Sequence, residues 1–248
     1  MYVIPQCEDD LAMERRVYIP TAGISAWRAR LADPDGHWVR GRSAFETAVV
    51  WERGSVTERG LDSRLATLLD QASELRGAQL VASFPEHKVS LPGGSRASQN
   101  DVWAILRSDA GLASLAVEGK AGESFAETIA DWRSDDSAGK STRLTFLAKA
   151  LGLSEPVNPA LRYQLLHRTA SAVLEAGRIG ARTAAMVVLS FAPDDRSKED
   201  FLAFATSLGA TGAIGKLARA RSTSGCVLYL GWLDLPAASD SEIASLAV

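Results

Sequence analysis

The stretch 114–120 reads S-L-A-V-E-G-K and sets a carboxylate and an ammonium two residues apart at the end of an apolar run. Strand alternation places Ser114, Ala116, Glu118 and Lys120 on one face and turns Leu115 and Val117 into a core. Alone, such an E-x-K is most simply an ordinary surface ion pair, which contributes only ~0–1 kcal/mol. A second carboxylate changes that weighing. Asp101 opens the preceding strand candidate, and a turn at 109–111 folds the two into a hairpin, so the start of one strand lies beside the end of the other. Asp101 and Glu118, with the Gly119 carbonyl, then offer hard oxygens to Mg²⁺ or Mn²⁺, which is the kind of ion that takes one or two carboxylates and keeps its waters. Lys120 beside them would hold an attacking water or neutralise a phosphate. A cation that acidifies bound water and stabilises charge on a scissile phosphate supplies what phosphodiester hydrolysis needs.

The elements that must position these residues can be read along the chain. Residues 1–15 read as a flexible lead-in, followed by a single domain over 16–248 that begins with a short strand at 17–20. A helix from Ile24 carries Trp27 and Leu31 on one side and stops at Asp33-Pro34-Asp35-Gly36. The next has Ser43 as N-cap candidate with Glu46 three residues on, the capping-box spacing, and buries Phe45, Val49 and Val50. A helix over 61–75 leads into a strand at 78–84. Pro92-Gly93-Gly94 then turns the chain into the hairpin 101–107 and 112–120. Helices are expected at 123–134, 141–151 and 161–178, a buried strand at 183–191, a helix at 198–208, and a final strand at 226–233. This order predicts an α/β fold, a mixed sheet flanked by helices.

Composition narrows the field. The hydrophobic fraction of 46% can close a sizeable core, and no apolar run approaches the length of a membrane span. The acidic start lacks the basic, then apolar, pattern of an export signal, so a cytoplasmic, non-membrane protein is expected. Cys7 and Cys226 make neither a zinc spacing nor a disulfide framework. A net charge of −3 argues against a protein that coats nucleic acid through a global positive field, while leaving room for a local basic cleft. There is no G-x-S-x-G elbow, P-loop or G-x-G-x-x-G, so serine-triad and nucleotide-driven chemistry find no foothold. Three histidines cannot build a histidine-rich metal centre.

Asp101 on one strand and E-x-K on the next, in the order helix, three strands, helix, strand, resemble the PD-(D/E)XK nuclease superfamily. The resemblance implies a restriction-endonuclease-like fold and a Mg²⁺- or Mn²⁺-dependent nuclease, acting on DNA, with Asp101 and Glu118 as ligands and Lys120 as electrostatic catalyst. It also implies a first-helix glutamate at the metal, for which Glu46 is the best-placed candidate and Glu52 a weaker one, against the capping role already given to Glu46. Asn100 stands where the family's proline precedes the aspartate. On the helix after the site Gln164, His167 or Arg168, and Ser171 share a side, and the resemblance makes Gln164 and His167 orienting groups. The stretches L-R-Y-Q-L-L-H-R-T-A-S-A-V, P-E-H-K and L-P-G-G-x-R-x-S-Q-N-D are similar to a bacterial family of unassigned substrate placed in this fold, over roughly 16–235. A homodimer is compatible with this reading. The rival expectation is a catalytically silent member serving as a binding or regulatory module, and a third is hydrolysis of a small phosphorylated substrate.

Overall fold

Two chain reversals and one crossover bring the chemistry-bearing strands together. In the computed structural model, which describes residues 23–31, 33–135, 137–192, 194–221 and 225–246, helices α1 (Ser25–Arg28), α2 (Pro34–His37), α3 (Ser43–Ser55) and α4 (Ser63–Leu69) precede a meander of β1 (Gln79–Val89), β2 (Ser98–Ser108) and β3 (Gly111–Lys120). Then come α5 (Ile129–Trp132), α6 (Ala138–Leu151), α7 (Tyr163–Arg178), β4 (Thr183–Ser190), α8 (Asp195–Ser207), β5 (Leu217–Arg219), β6 (Val227–Asp234) and α9 (Asp240–Ala244). The lead-in at 1–15 and the strand candidate at 17–20 lie outside the described residues. Among those residues, no helix is long and apolar enough to cross a membrane.

The six strands form one mixed sheet in the order β1-β2-β3-β4-β6-β5, antiparallel through the meander and parallel across β3, β4 and β6. Ser108 pairs with Gly111, and Gly111 takes φ +110°, which closes the β2–β3 turn in two residues. The run T-A-A-M-V-V-L-S is buried at every position because β4 lies between β3 and β6 with helices over both faces. One core layer joins Val49, Leu65 and Leu69 of α3 and α4 to Val102, Leu115 and Val187. The other joins Leu147, Leu165, Leu166, Phe201 and Phe204 of α6, α7 and α8 to Ala116, Met186, Val188 and Trp232. The result is a single α/β domain in three layers.

Some boundaries differ from the sequence expectation. The helix expected at 123–134 is reduced to Ile129–Trp132, and the one at 61–75 to Ser63–Leu69, which starts at Asp62 because its carboxylate accepts from the N–H groups of Arg64 and Leu65. Ser43 is already helical and Arg42 takes the N-cap position without a side-chain cap, so the expected capping box does not form.

Candidate functional site

Register delivers three carboxylates to one row. Val102 pairs with Val117, so Asp101 faces Glu118; Pro85 pairs with Val102 and His87 with Asn100, so the intervening Glu86 faces Asp101 on the other side. Glu86 has φ +55°, a conformation uncommon outside glycine, and the β1–β2 register passes from Pro85–Val102 to His87–Asn100 without pairing it. β1 is an edge strand, which is why it tolerates Pro85 and this irregularity. These side chains line a cavity of about 410 Å³ together with Gln99, Lys120, Glu123, Gln164, Arg168 and the segment around α2 and the start of α3. A separate cavity of about 360 Å³, lined by Ile129, Leu144, Pro156 and Pro159, has a single carboxylate, Glu155, and offers no comparable chemistry.

Glu118 and Lys120 are not a surface pair. They are 3% and 5% exposed, and Lys120 Nζ donates to Glu118 Oε1 at 3.0 Å and to Gln164 Oε1 at 3.2 Å, over the Phe125 ring at 4.9 Å. Gln164 Nε2 donates to Glu118 Oε1 and Arg168 Nε donates to Glu118 Oε2 at 2.7 Å. Burial works to raise the Glu118 carboxyl, but Arg168 and Lys120 outweigh it and hold it below the usual range. Asp101 differs. Burial first, then the negative Glu118 and Glu86, push its carboxyl well above the ordinary value, although the Gly119 N–H donates to Oδ2 at 2.7 Å. Glu86 is raised too, by burial ahead of the opposing Gln99 hydrogen bond. The cavity is lined by four carboxylates, Glu86, Asp101, Glu118 and Glu123, against three cations, Arg42, Lys120 and Arg168, which leaves excess negative charge around the buried carboxylate row.

Of the residues expected from sequence, Asp101, Glu118, Lys120 and Gln164 meet at the cavity. His167 does not. Its Nδ1 lies 2.7 Å from Ser98 Oγ, its ring packs against Tyr163, and burial, then Arg168 and Arg143, hold it well below its ordinary pKa, so it is a neutral structural group. Its neighbour Arg168 takes the place at the site. Glu46 is also elsewhere: 1% exposed, it accepts from the N–H of Gly41 at 2.8 Å and of Ala238 at 2.7 Å, tying two loops together. Glu52 accepts from Trp27 Nε1. The third carboxylate is Glu86, which reasoning from sequence missed. The signal was present, since a turn centred between Gly93 and Gly94 that sets Pro85 against Val102 also sets Glu86 against Asp101.

Gly119, between Glu118 and Lys120, is required by space. A Cβ there would lie 2.3 Å from Thr47 Oγ1 and 3.2 Å from the Ser43 carbonyl oxygen, so α3 can rest directly on the site. Gly119→Ala is therefore expected to cost about 1–3 kcal/mol by overpacking, measured as a lower midpoint in denaturant.

Among the described residues, no group of three or more Asp, Glu, His or Cys side chains is arranged as a metal cage. Comparison with known proteins gives one family: the model described as Domain of unknown function (DUF6946) matches residues 20–237. No curated protein and no solved structure matches the chain.

Proposed function

Since the chain belongs to the DUF6946 family, whose description assigns no activity, we propose from the geometry of the cavity that it is a Mg²⁺- or Mn²⁺-dependent phosphodiesterase, a nuclease acting on DNA. The observation that carries this is the meeting of Asp101, Glu86 and Glu118 with Lys120 at one cavity. The strand order and the positions of Asp101 and E-x-K support the relation to the PD-(D/E)XK superfamily. The donor set fits a hard divalent ion: Asp101 and Glu86 each have one oxygen engaged by a hydrogen bond, at Oδ2 and Oε2, and the excess negative charge around them is what such an ion would neutralise. Magnesium needs no protein cage, because one or two carboxylates, water and substrate oxygens complete it. Asp101 and Glu86 would hold it, with Glu118 beside them. When bound, the ion would acidify a water and stabilise charge on the phosphate.

The chain's own residues divide the remaining work. Glu118 fixes the ammonium of Lys120, Gln164 orients both, and Lys120 meets the phosphate or the attacking water. Arg168 keeps Glu118 ionised. Incubating purified protein with Mg²⁺ or Mn²⁺ and linear, circular, single-stranded and RNA substrates tests this. Metal-dependent cutting that EDTA abolishes is expected; no cutting of any of them defeats it.

One observation favours the rival binding module. Both oxygens of Glu118 are already occupied by Lys120, Gln164 and Arg168, a closed set of charges that needs no ion. A chain that binds DNA in EDTA and never cuts would fit that reading.

A further inference from the structure

The proposed hydrolysis leaves one wall of the cavity without a task. That wall is the start of α3 and the segment before it, which contribute His37, Arg42, Ser43 and Ala44. It lies close to the chemistry. The Ser43 carbonyl and Thr47 Oγ1 rest on Gly119, so the backbone next to Arg42 abuts the residue between Glu118 and Lys120.

Two observations make this wall a place for an anion. The Arg42 side chain is exposed to the cavity, and its guanidinium has no hydrogen-bond or ion-pair partner among the described residues. The α3 helix has 13 residues and no side-chain cap, so its first N–H groups, at Ser43 and Ala44, carry the positive end of the helix dipole to the cavity. A guanidinium fork beside unclaimed N–H donors matches the oxygens of a phosphate.

We propose that Arg42, with the uncapped first turn of α3, grips a second phosphate of the substrate, next to the one presented to Lys120. This rests on the hydrolysis reading for the identity of the first phosphate. It makes the substrate a nucleic-acid strand that carries two neighbouring phosphates, one of which is either a strand-terminal phosphate or an internal phosphodiester.

The test is fluorescence anisotropy on the full chain in EDTA, where no cutting occurs, with 3′-fluorescein tetrathymidylate bearing a 5′-phosphate or a 5′-hydroxyl. Arg42→Ala is expected to weaken binding about tenfold, the size of one lost charge-assisted contact, and to lower the salt slope by about one. Arg42→Lys should recover part of the loss, and inorganic phosphate should compete better against the wild type than against Arg42→Ala. If the wild type prefers the 5′-phosphate and Arg42→Ala loses that preference, the gripped group is terminal; if both probes weaken equally, it is internal. Either result supports the site. Wild-type affinity in both Arg42→Ala and Arg42→Gln, or a wild type that binds neither probe, overturns it. A chain that binds in this way but never cuts keeps the phosphate grip and loses the hydrolysis reading; one that cuts while Arg42→Ala binds normally does the reverse.

Discussion

Replacing Lys120 by alanine is expected to slow metal-dependent cutting by about 10²–10³-fold, the usual cost of removing one preorganised donor from a developing charge. An ammonium has three donors. Two are taken by Glu118 and Gln164, which hold the group in place and leave the third for a phosphate oxygen or a water. The substitution should also destabilise the fold. Removing one partner from a buried ion pair typically costs about 3–5 kcal/mol, and the Arg168 contact on the other oxygen of Glu118 should keep the loss near the lower end. Lys120→Arg separates the two effects, because it keeps the charge for Glu118 but replaces a compact ammonium with a planar fork. Stability mostly retained with activity still low is the expected pattern, read from thermal melts beside cleavage rates. Equal cutting by Lys120→Ala and the wild type would remove Lys120 from the mechanism.

Asp101→Asn is expected to abolish cutting and yet raise stability at neutral pH. The sign follows from the folded carboxyl being held well above its ordinary value by burial and by Glu118 and Glu86. A group whose folded pKa is raised contributes stability that is complete below the unfolded value, about 3.9, and is lost as pH rises through the folded value. Asparagine has no charge to desolvate and can still accept the Gly119 N–H. The variant should therefore melt higher than the wild type at pH 7, by an amount worth about 1.4 kcal/mol for each unit of elevation. The difference should shrink to nothing as pH falls below 4, where both side chains are neutral. Melting curves across pH 3–8 measure it, and a variant no more stable than the wild type at pH 7 would contradict the charge balance described for the cavity.

Much of the site was legible because it depends on short-range rules. Alternation along 114–120 and a two-residue turn at Gly111 suffice to put Asp101 beside Glu118 and Lys120. What failed to read through depended on distant partners. Glu46 carries the spacing of a capping box, but its carboxylate goes to Gly41 and to Ala238 nearly two hundred residues away. His167 and Arg168 were equally eligible by helical spacing from Gln164, and only the packing of α7 turns Arg168 to Glu118 and His167 to Ser98. Glu86 is the exception: the register set by the turn at Gly93 and Gly94 already places it against Asp101, although it gets there with a positive φ that no local propensity favours. The three-residue β5 exists by pairing with β6, and α9 is fixed by its Ser239–Glu242 capping box and by the Arg53–Glu242 ion pair, so neither had periodicity to announce it.

The most direct measurement is calorimetric titration of Mn²⁺ into the full chain and into Asp101→Asn at pH 7. One site in the wild type and no detectable site in the variant is the expected result. Heats that are absent from the wild type, or identical in the two proteins, would mean that the carboxylate row is not a cation site.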